Sequence, residues 1–570
     1  MHPLSHRKRF EIMNRDVAQL VSAPALGAGG PAFESQYPDI TENLTEISEV
    51  FLFYTTQRKH LKKHQMKRLF LLLLPALFIL QACEDSAPVT VPELLSFSFE
   101  KAKNYSLPED IIFEDLESSY LEYATTYPLH TSILKATFTV PEGCIVTVND
   151  VVQTSGSTSN DFSSAVEYTV TNATGDKRVY TVSLSVNYKN MTGLPILFIN
   201  TNGGKPIADK ENWVAGDYSI MGADGGYILE NNELEIKGRG NTTWQNPKKP
   251  YALKLGKKTE LFGMPKHKRW VLLAAYNDKS MIRTDLAFHL AQNYSNLRWK
   301  QGGQLLEVVL NGQYIGNYYL CEHIKIDENR VPDGYVIEID YRAKEANGDI
   351  FFKSKLSQLN FVIKDPDVAK GSPEYLYVQN YINTCEQGLK NMDAANYMQY
   401  IDLENMVDWY LNSELTKNPD SGFFLSVYMN ISEDGKLYMG PLWDYDLAFG
   451  NQIYDDGAGS DNGYVGFTIR NGDRSKIWLP AMFNNQAFIT LLKEKMRVIA
   501  ANEANIMAFI DQRHQELKTS AIYNDRRWNL MCPDGSSDET ILRAYENQIT
   551  YIKDWLHGRI QWLATNIEAL

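Results

Sequence analysis

The chain has 570 residues, a length that suggests two to four domains. Its hydrophobic fraction of 44% and charged fraction of 22% are typical of globular protein, not of a disordered or fibrous chain. A net charge of −14 argues against a nucleic-acid-binding protein, because such proteins carry basic surfaces. The five cysteines form no CxxC pair, so structural zinc sites and thioredoxin-like motifs are not indicated.

The earliest informative segment is an apolar run near the N-terminus. Residues 66–83 begin with Met and two cations, continue with apolar residues over 69–80, and end at Cys83. The run is shorter than the ~20 apolar residues that a transmembrane helix needs, and it fits a secretory signal peptide. Residues 80–83, Leu-Gln-Ala-Cys, resemble a bacterial lipobox. We therefore predict cleavage before Cys83 and lipidation of its thiol, which would anchor the protein in a membrane.

The signal peptide sits inside the chain, although a secretory signal works from the N-terminus. We interpret residues 1–65 as an extension upstream of the translation start at Met66, and residues 84–93 as a polar tether. The acidic residues 84–86 resemble export signals of surface lipoproteins in Bacteroidetes. We expect a location in the outer membrane with display at the cell surface.

Residues 94–190 carry short segments in which β-branched or aromatic residues alternate with polar ones, for example over 166–170 and 179–186. This period of two is typical of strands with one buried face. The number of such segments predicts a β-sandwich of the immunoglobulin kind. No chemistry is visible in this region, so we assign it the role of a spacer.

Residues 195–570 combine strands and helices. Asn311-Gly312 lies between two apolar segments and favours the tight turn of a β-hairpin. Beyond residue 398, apolar residues recur at spacings of three and four, as they do on helices. The sequence therefore predicts an α+β domain with two lobes, the first rich in strands and the second in helices.

The stretch 237–254 concentrates positive charge in an acidic protein. It holds five cations, and Gly238 and Gly240 let the backbone approach a ligand closely. Amide donors and point charges of this kind suit phosphate oxygens. The spacing of the P-loop motif is absent, and an ordinary basic hairpin with a glycine turn remains an alternative interpretation. The cations are Lys237, Arg239, Lys248, Lys249 and Lys254.

Two acidic segments follow further along the chain. Asp420 lies between a predicted helix and a strand, and Asp444 and Asp446 come just after a short strand. A hairpin turning at residues 433–435 would bring them to one edge of a sheet. Phosphoryl transfer needs one carboxylate to orient the attacking hydroxyl and another to hold Mg²⁺. Taken singly, each Asp could equally be an ordinary turn or capping residue.

Six segments, in order, resemble the successive signatures of the CotH kinase family, which includes the spore coat protein H of spore-forming bacteria. The glycine-containing segments and the acidic segments described above are both among them. The resemblance spans about two thirds of the chain. The segments are residues 239–244, 249–254, 270–278 with Arg283, 314–322, 414–420 and 441–450.

This resemblance implies an atypical protein-kinase-like fold, together with Mg²⁺- or Mn²⁺-dependent transfer of phosphate from ATP to Ser or Thr. It implies that Lys254 contacts the phosphates, with Arg239 and Asn241 in the glycine-containing loop above them. Glu322 falls near the expected nucleotide pocket, but the resemblance assigns it no role.

The resemblance also assigns the acids. It implies that Asp420 is the catalytic base and Asp444 the metal-binding acid, with Asp446 a second candidate for the metal. One position departs from the familiar protein-kinase pattern: where that pattern has an Asn five residues after the catalytic Asp, this chain has Leu425. A second metal ligand would have to come from elsewhere, and Asn418 and Asn451 are the candidates.

Two functions follow from these observations. The first is a membrane-anchored kinase that binds nucleotide and phosphorylates an extracytoplasmic protein. The second is a non-catalytic surface lipoprotein that binds a protein or a glycan on a kinase-like scaffold. Such a binder would use aromatic side chains such as Trp213, Trp244 or Tyr464. The net charge argues against nucleic acid as a partner in either case.

Overall fold

The computed structural model describes residues 90–104, 107–129, 131–453 and 462–570. The upstream extension, the signal peptide and Cys83 lie outside these residues, as does most of the tether. Residues Val89–Leu570 form one compact unit. In the part of the chain that the structure describes, no helix is both long enough and apolar enough to cross a membrane.

The first part of this unit is built from short strands. A three-stranded sheet of order β2-β1-β5 and a five-stranded sheet of order β3-β10-β9-β6-β7 share one apolar core, which contains Phe97, Tyr168 and Tyr180. Buried and exposed residues alternate along β9, as the period of two predicts. The strands are β1 (Ser96–Phe99), β2 (Ile111–Ile112), β3 (Tyr120–Thr125), β4 (Leu134–Lys135), β5 (Thr137–Thr139), β6 (Ile145–Val148), β7 (Val151–Val152), β8 (Ser159–Asn160), β9 (Val166–Thr171) and β10 (Lys177–Val186).

The next seven strands close into a barrel of order β11-β12-β13-β14-β15-β17-β16, sealed by parallel pairing of β11 with β16. Asn311-Gly312 turns the β16–β17 hairpin, as expected. The sequence predicted strands here but not their closure, because alternation reports which face is buried and not how the sheet ends meet. The strands are β11 (Ile196–Thr201), β12 (Val214–Met221), β13 (Tyr227–Gly238), β14 (Tyr251–Leu261), β15 (Met264–Leu273), β16 (Gly303–Leu310) and β17 (Gln313–Glu322).

A five-stranded antiparallel sheet of order β19-β20-β18-β21-β22 follows the barrel. Together with the helices it encloses the largest apolar core, which holds Val336, Phe361 and Met429. The strands are β18 (Tyr335–Ile339), β19 (Phe351–Lys353), β20 (Asn360–Asp365), β21 (Val427–Ile431) and β22 (Leu437–Met439).

The described residues contain eight α-helices, six of them after residue 390, which confirms the α+β class and a second half rich in helices. Helix α7 also contacts the first part of the unit. Its Tyr523 packs against Tyr127, just after β3, with ring centroids 4.7 Å apart. The helices are α1 (Arg283–Tyr294), α2 (Pro373–Lys390), α3 (Ala394–Tyr397), α4 (Leu403–Thr416), α5 (Leu479–Phe483), α6 (Gln486–Ala501), α7 (Glu503–Trp528) and α8 (Asp538–Glu568).

Candidate active site

A cleft of about 910 Å³ is lined by the barrel on one side and by the second sheet and its loops on the other. The barrel contributes the glycine-containing loop at residues 238–243, and the other wall contributes the loop that follows α4. Both segments that the sequence singled out therefore face the same space. Their side chains in the lining are Arg239, Asn241, Asp420, Asp444 and Asp446.

The end of α4 delivers Asp420 to this cleft. Asp402 caps the helix at its start, and Lys417 ends it in the left-handed conformation, with φ 49°. The chain then turns, and Asp420 comes to lie only 2% exposed. Burial raises the pKa of Asp420 to about 8, and the neighbouring Asp444 and Asp446 carboxylates add to the rise.

Asp444 and Asp446 follow β22 on the segment opposite the glycine-containing loop. Asp444 has a φ of 64°, an uncommon conformation for a residue other than glycine, and such conformations often occur at functional sites. Both side chains are partly exposed to the cleft but are otherwise surrounded by protein. Desolvation consequently raises the pKa of Asp444, and it raises that of Asp446 to about 8 with help from Asp444 and Asp278. The structure thus brings the three predicted acids together.

The donor atoms of this cluster fit a hard divalent cation. Asp420 Oδ1 and Asn418 Oδ1 are buried and have no hydrogen-bond partner among the described residues. The Asn418 amide donates to Ser421 Oγ at 3.1 Å and to the Asp444 carbonyl at 3.3 Å. The other candidate, Asn451, donates to the Asp446 carbonyl at 2.8 Å.

The acids do not form a complete metal cage. Within the described ranges, no group of three or more His, Cys, Asp or Glu side chains is arranged to hold a metal ion. Mg²⁺ usually binds through one or two carboxylates and completes its shell with water and substrate phosphates. The residues present therefore suit an Mg²⁺ ion that arrives with a nucleotide.

A buried ion pair fixes the position of the acidic segment. Arg283 Nη1 lies 2.6 Å from Asp278 Oδ1, and both side chains are almost fully buried. Arg283 Nε also donates to the Ala448 carbonyl at 3.0 Å, which ties the start of α1 to the chain just after Asp446. The sequence identified this pair as part of a family signature but could not assign it a task.

The glycine-containing loop has little room for larger side chains. Gly240 has a φ of 80°, and a Cβ there would lie 2.1 Å from Thr243 Oγ1. Arg239 places its guanidinium 5.2 Å from the centre of the Trp443 ring, next to the acids, while Asn241 is exposed at the rim. Two of the three residues predicted to contact nucleotide thus line the cleft.

Lys254, the third of these residues, does not belong to the cleft lining. Its Nζ pairs with Glu235 Oε2 at 2.5 Å on the neighbouring strand β13. Leu253 and Leu255 point into the barrel core, so alternation puts Lys254 on the outer surface of the barrel. Ala252 is on the same face of the strand and lines the cleft, whereas Lys254 lies two residues further along and does not. Glu322 is likewise outside the lining and accepts a hydrogen bond from the Gly302 amide at 2.9 Å.

The cleft also contains Lys248 from the basic stretch, together with cations that sequence reasoning missed, among them Arg342 and Lys364. Lys364 on β20 pairs with the buried Glu338 on β18 at 3.0 Å. Arg342 follows β18, and Lys248 is fully buried, where desolvation lowers its pKa to about 7. Arg342 and Lys364 belong to no motif, and in the sequence each is only a single cation in or next to an otherwise apolar strand.

Comparison with known families identifies this arrangement. A family model described as CotH kinase protein matches residues 236–563, which is more than half of the chain. The chain belongs to the CotH kinase family. The CotH match begins within β13 and ends within α8, so it includes every residue of the cleft described above from Lys237 onward.

Other comparisons add little. No curated protein matches the chain. A solved structure from Bacteroides fragilis NCTC 9343, classed provisionally as a secreted protein, shares 16% identity over 17% of this chain and 95% of its own, with a TM-score of 0.12. A second, from Bacteroides thetaiotaomicron VPI-5482 and classed provisionally as a glycoside hydrolase, shares 14% identity over 51% and 87%, with a TM-score of 0.14. Scores this low carry no inference about fold or function.

Proposed function

We propose that the protein is an atypical kinase that transfers the terminal phosphoryl group of ATP to Ser or Thr of an extracytoplasmic protein. The observation that carries this proposal is the cluster of three acids that faces a glycine-containing cationic loop across one cleft. The barrel and the helical part would correspond to the two lobes of a kinase-like fold. The preceding sheets would form an immunoglobulin-like sandwich that acts as a spacer.

The acids divide the work in this proposal. Asp420 accepts the proton of the acceptor hydroxyl, since a base works best when its pKa is close to the ambient pH. Asp444, with Asp446, would hold Mg²⁺ or Mn²⁺, which supplies positive charge to the phosphates when bound. The ligand that the missing kinase Asn would have provided is assigned to Asn418, whose buried amide oxygen has no hydrogen-bond partner among the described residues.

Phosphate binding is assigned to the cations that the cleft contains. Arg239 and the backbone of the glycine-containing loop would contact the phosphates, with Asn241 at the rim. Lys364 is positioned on the opposite wall. Lys254 makes no phosphate contact in this proposal, because it lies outside the cleft lining and pairs with Glu235.

The test combines binding with transfer. The full chain is titrated with ATP in the presence and absence of Mg²⁺ or Mn²⁺ while thermal unfolding is followed, and radiolabel transfer from ATP to a generic acceptor protein is measured in parallel. A ligand that binds only the folded state adds about 2.7 kcal/mol at a hundredfold excess over its dissociation constant. A chain that neither binds nucleotide with any divalent metal nor transfers label would falsify the proposal.

A second function, binding of a surface partner, is favoured by one feature beside the cleft. The Trp213 ring lies within 6.0 Å of Lys254, Arg269 and Lys237, of which Lys237 also lines the cleft. Such a surface suits an anionic group on a protein or glycan. Wild-type binding to an acidic ligand that survives Asp420→Asn and is lost in Arg269→Glu would support it.

Membrane attachment is part of the same proposal and rests on the lipobox-like sequence. Expression from Met66 should give a membrane-bound, lipid-labelled product in the outer membrane, and Cys83→Ala should abolish the label. Protease treatment of intact cells then tests display on the surface. A lipid label that persists in the mutant contradicts the anchor.

A further inference from the structure

Arg342 occupies an unusual position at the mouth of the cleft. It lies on the wall opposite the glycine-containing loop, just after β18, yet its Nη1 donates to Thr242 Oγ1 of that loop at 3.4 Å. Its Nε is buried and lies 3.5 Å from Asp340 Oδ1, with no hydrogen-bond partner among the described residues. The guanidinium thus spans the cleft with donor capacity to spare.

The backbone holds Arg342 in register with the proposed base. The neighbouring Tyr341 amide donates to the Phe424 carbonyl at 3.1 Å, and the Phe424 amide donates to the Asp420 carbonyl at 3.2 Å. The rings of Tyr341 and Phe424 stack at 4.1 Å with their planes 10° apart. The two loops therefore form one packed unit, and Arg342 and Asp420 have a fixed spacing.

Arg342 also shares the cleft with both functional acids. Its side chain lines the same space as Asp420 and Asp444. A cation with this reach lies close to the acceptor side and to the metal side of the cleft. The transferred group must pass between those two sides.

Resting on the proposed kinase function, we propose that Arg342 binds the phosphoryl group during transfer. In that step the bond from the terminal phosphorus to the bridging oxygen breaks, and ADP leaves with its electron pair. The acceptor oxygen bonds to phosphorus, and its proton passes to Asp420. Arg342 forms no covalent bond: its planar, permanently charged donors bind the equatorial oxygens, where charge concentrates.

The test separates binding of the ground state from binding of the transferring group. Wild type, Arg342→Ala and Arg342→Lys are titrated with Mg-ADP alone and with Mg-ADP plus aluminium fluoride, which imitates the phosphoryl group in flight, and thermal unfolding is followed. In parallel, kcat and KM for ATP are measured. Lys355→Ala, which removes an exposed cation outside the cleft lining, is the matched control.

The expected result is a split. Arg342→Ala should lower kcat about 10²–10³-fold, the usual loss for one donor to a developing charge, with little change in KM. It should bind Mg-ADP like the wild type but lose the extra stabilisation by aluminium fluoride, and Arg342→Lys should restore part of both. Equal kcat in Arg342→Ala and wild type, or loss of Mg-ADP binding alone, overturns the role of Arg342. If the wild type binds no nucleotide, the proposed function falls and takes this inference with it.

Discussion

The two walls of the cleft differ in charge and in solvation. The barrel wall presents Arg239 and Asn241 on a loop that is open to solvent. The opposite wall presents Asp420, Asp444 and Asp446 in a largely desolvated environment. A half-exposed cation costs the fold little, but three carboxylates whose pKa values are raised, above all by desolvation, do not help it to fold. The acid wall is therefore the place where stability has been given up for function, and the variants below test this difference.

The largest effect is expected at the proposed base. Asp420→Asn keeps the shape of the side chain but cannot accept the proton of the acceptor hydroxyl. We expect turnover to fall about 10²–10⁴-fold, as general-base loss does, while nucleotide binding stays close to that of the wild type. Radiolabel transfer measured beside nucleotide titration checks both halves. Unchanged turnover would remove Asp420 from the chemistry.

The next effect is expected at the metal side. Asp444→Asn should weaken metal-dependent nucleotide binding tenfold or more, on the order of the loss of one charged contact. In metal-free solution the free energy of unfolding of the same variant should be about 1 kcal/mol higher than that of the wild type, because one repelling charge is gone. Weaker nucleotide binding combined with greater stability in the absence of metal would support a functional role for Asp444. A variant that loses stability with and without ligand indicates a structural residue.

Two cations on the barrel side form a matched pair. Arg239→Ala should weaken nucleotide binding about tenfold, because a guanidinium beside the acids and the phosphates is lost. Lys254→Ala removes an outer-surface ion pair and should leave both binding and stability within about 0.5 kcal/mol of the wild type. Calorimetric titration with Mg-ATP compares them directly. If Lys254→Ala has the larger effect, the cleft as described is not the nucleotide site.

The smallest effect is a pH dependence of the metal-free protein. The pKa of Asp446 is raised from 3.8 to about 8 in the folded state, so the folded protein holds protons that the unfolded chain releases. The stability this contributes is complete below pH 3.8 and is lost as the pH rises toward 8. Chemical denaturation in the presence of a chelator should show a flatter decline for Asp446→Asn than for wild type. An Arg239→Ala variant with an equally flattened decline would contradict the contrast between the walls.

Much of this protein follows from local sequence patterns. Alternation along residues 166–170, Asn311-Gly312 and the helical spacing after residue 398 are each enough to predict an element, because they depend on neighbouring residues only. The ordered segments from residue 239 to 450 predicted the family, which the match over 236–563 confirms. Asp420, Asp444 and Asp446 were also correctly expected to lie together, since a single hairpin separates them.

Tertiary structure alone decided what the cleft contains. Lys254 lies on the same outer face of β14 as Ala252, which lines the cleft, but two residues further along the strand, where it pairs with Glu235. Tertiary packing also placed Arg342, just after β18, and Lys364, on β20, in the cleft with the acids, although neither segment carries a motif. The sequence by itself determined which residue types and which family are present. Which cations face the acids depended on contacts between segments about a hundred residues apart, and such contacts leave no periodic trace in the chain.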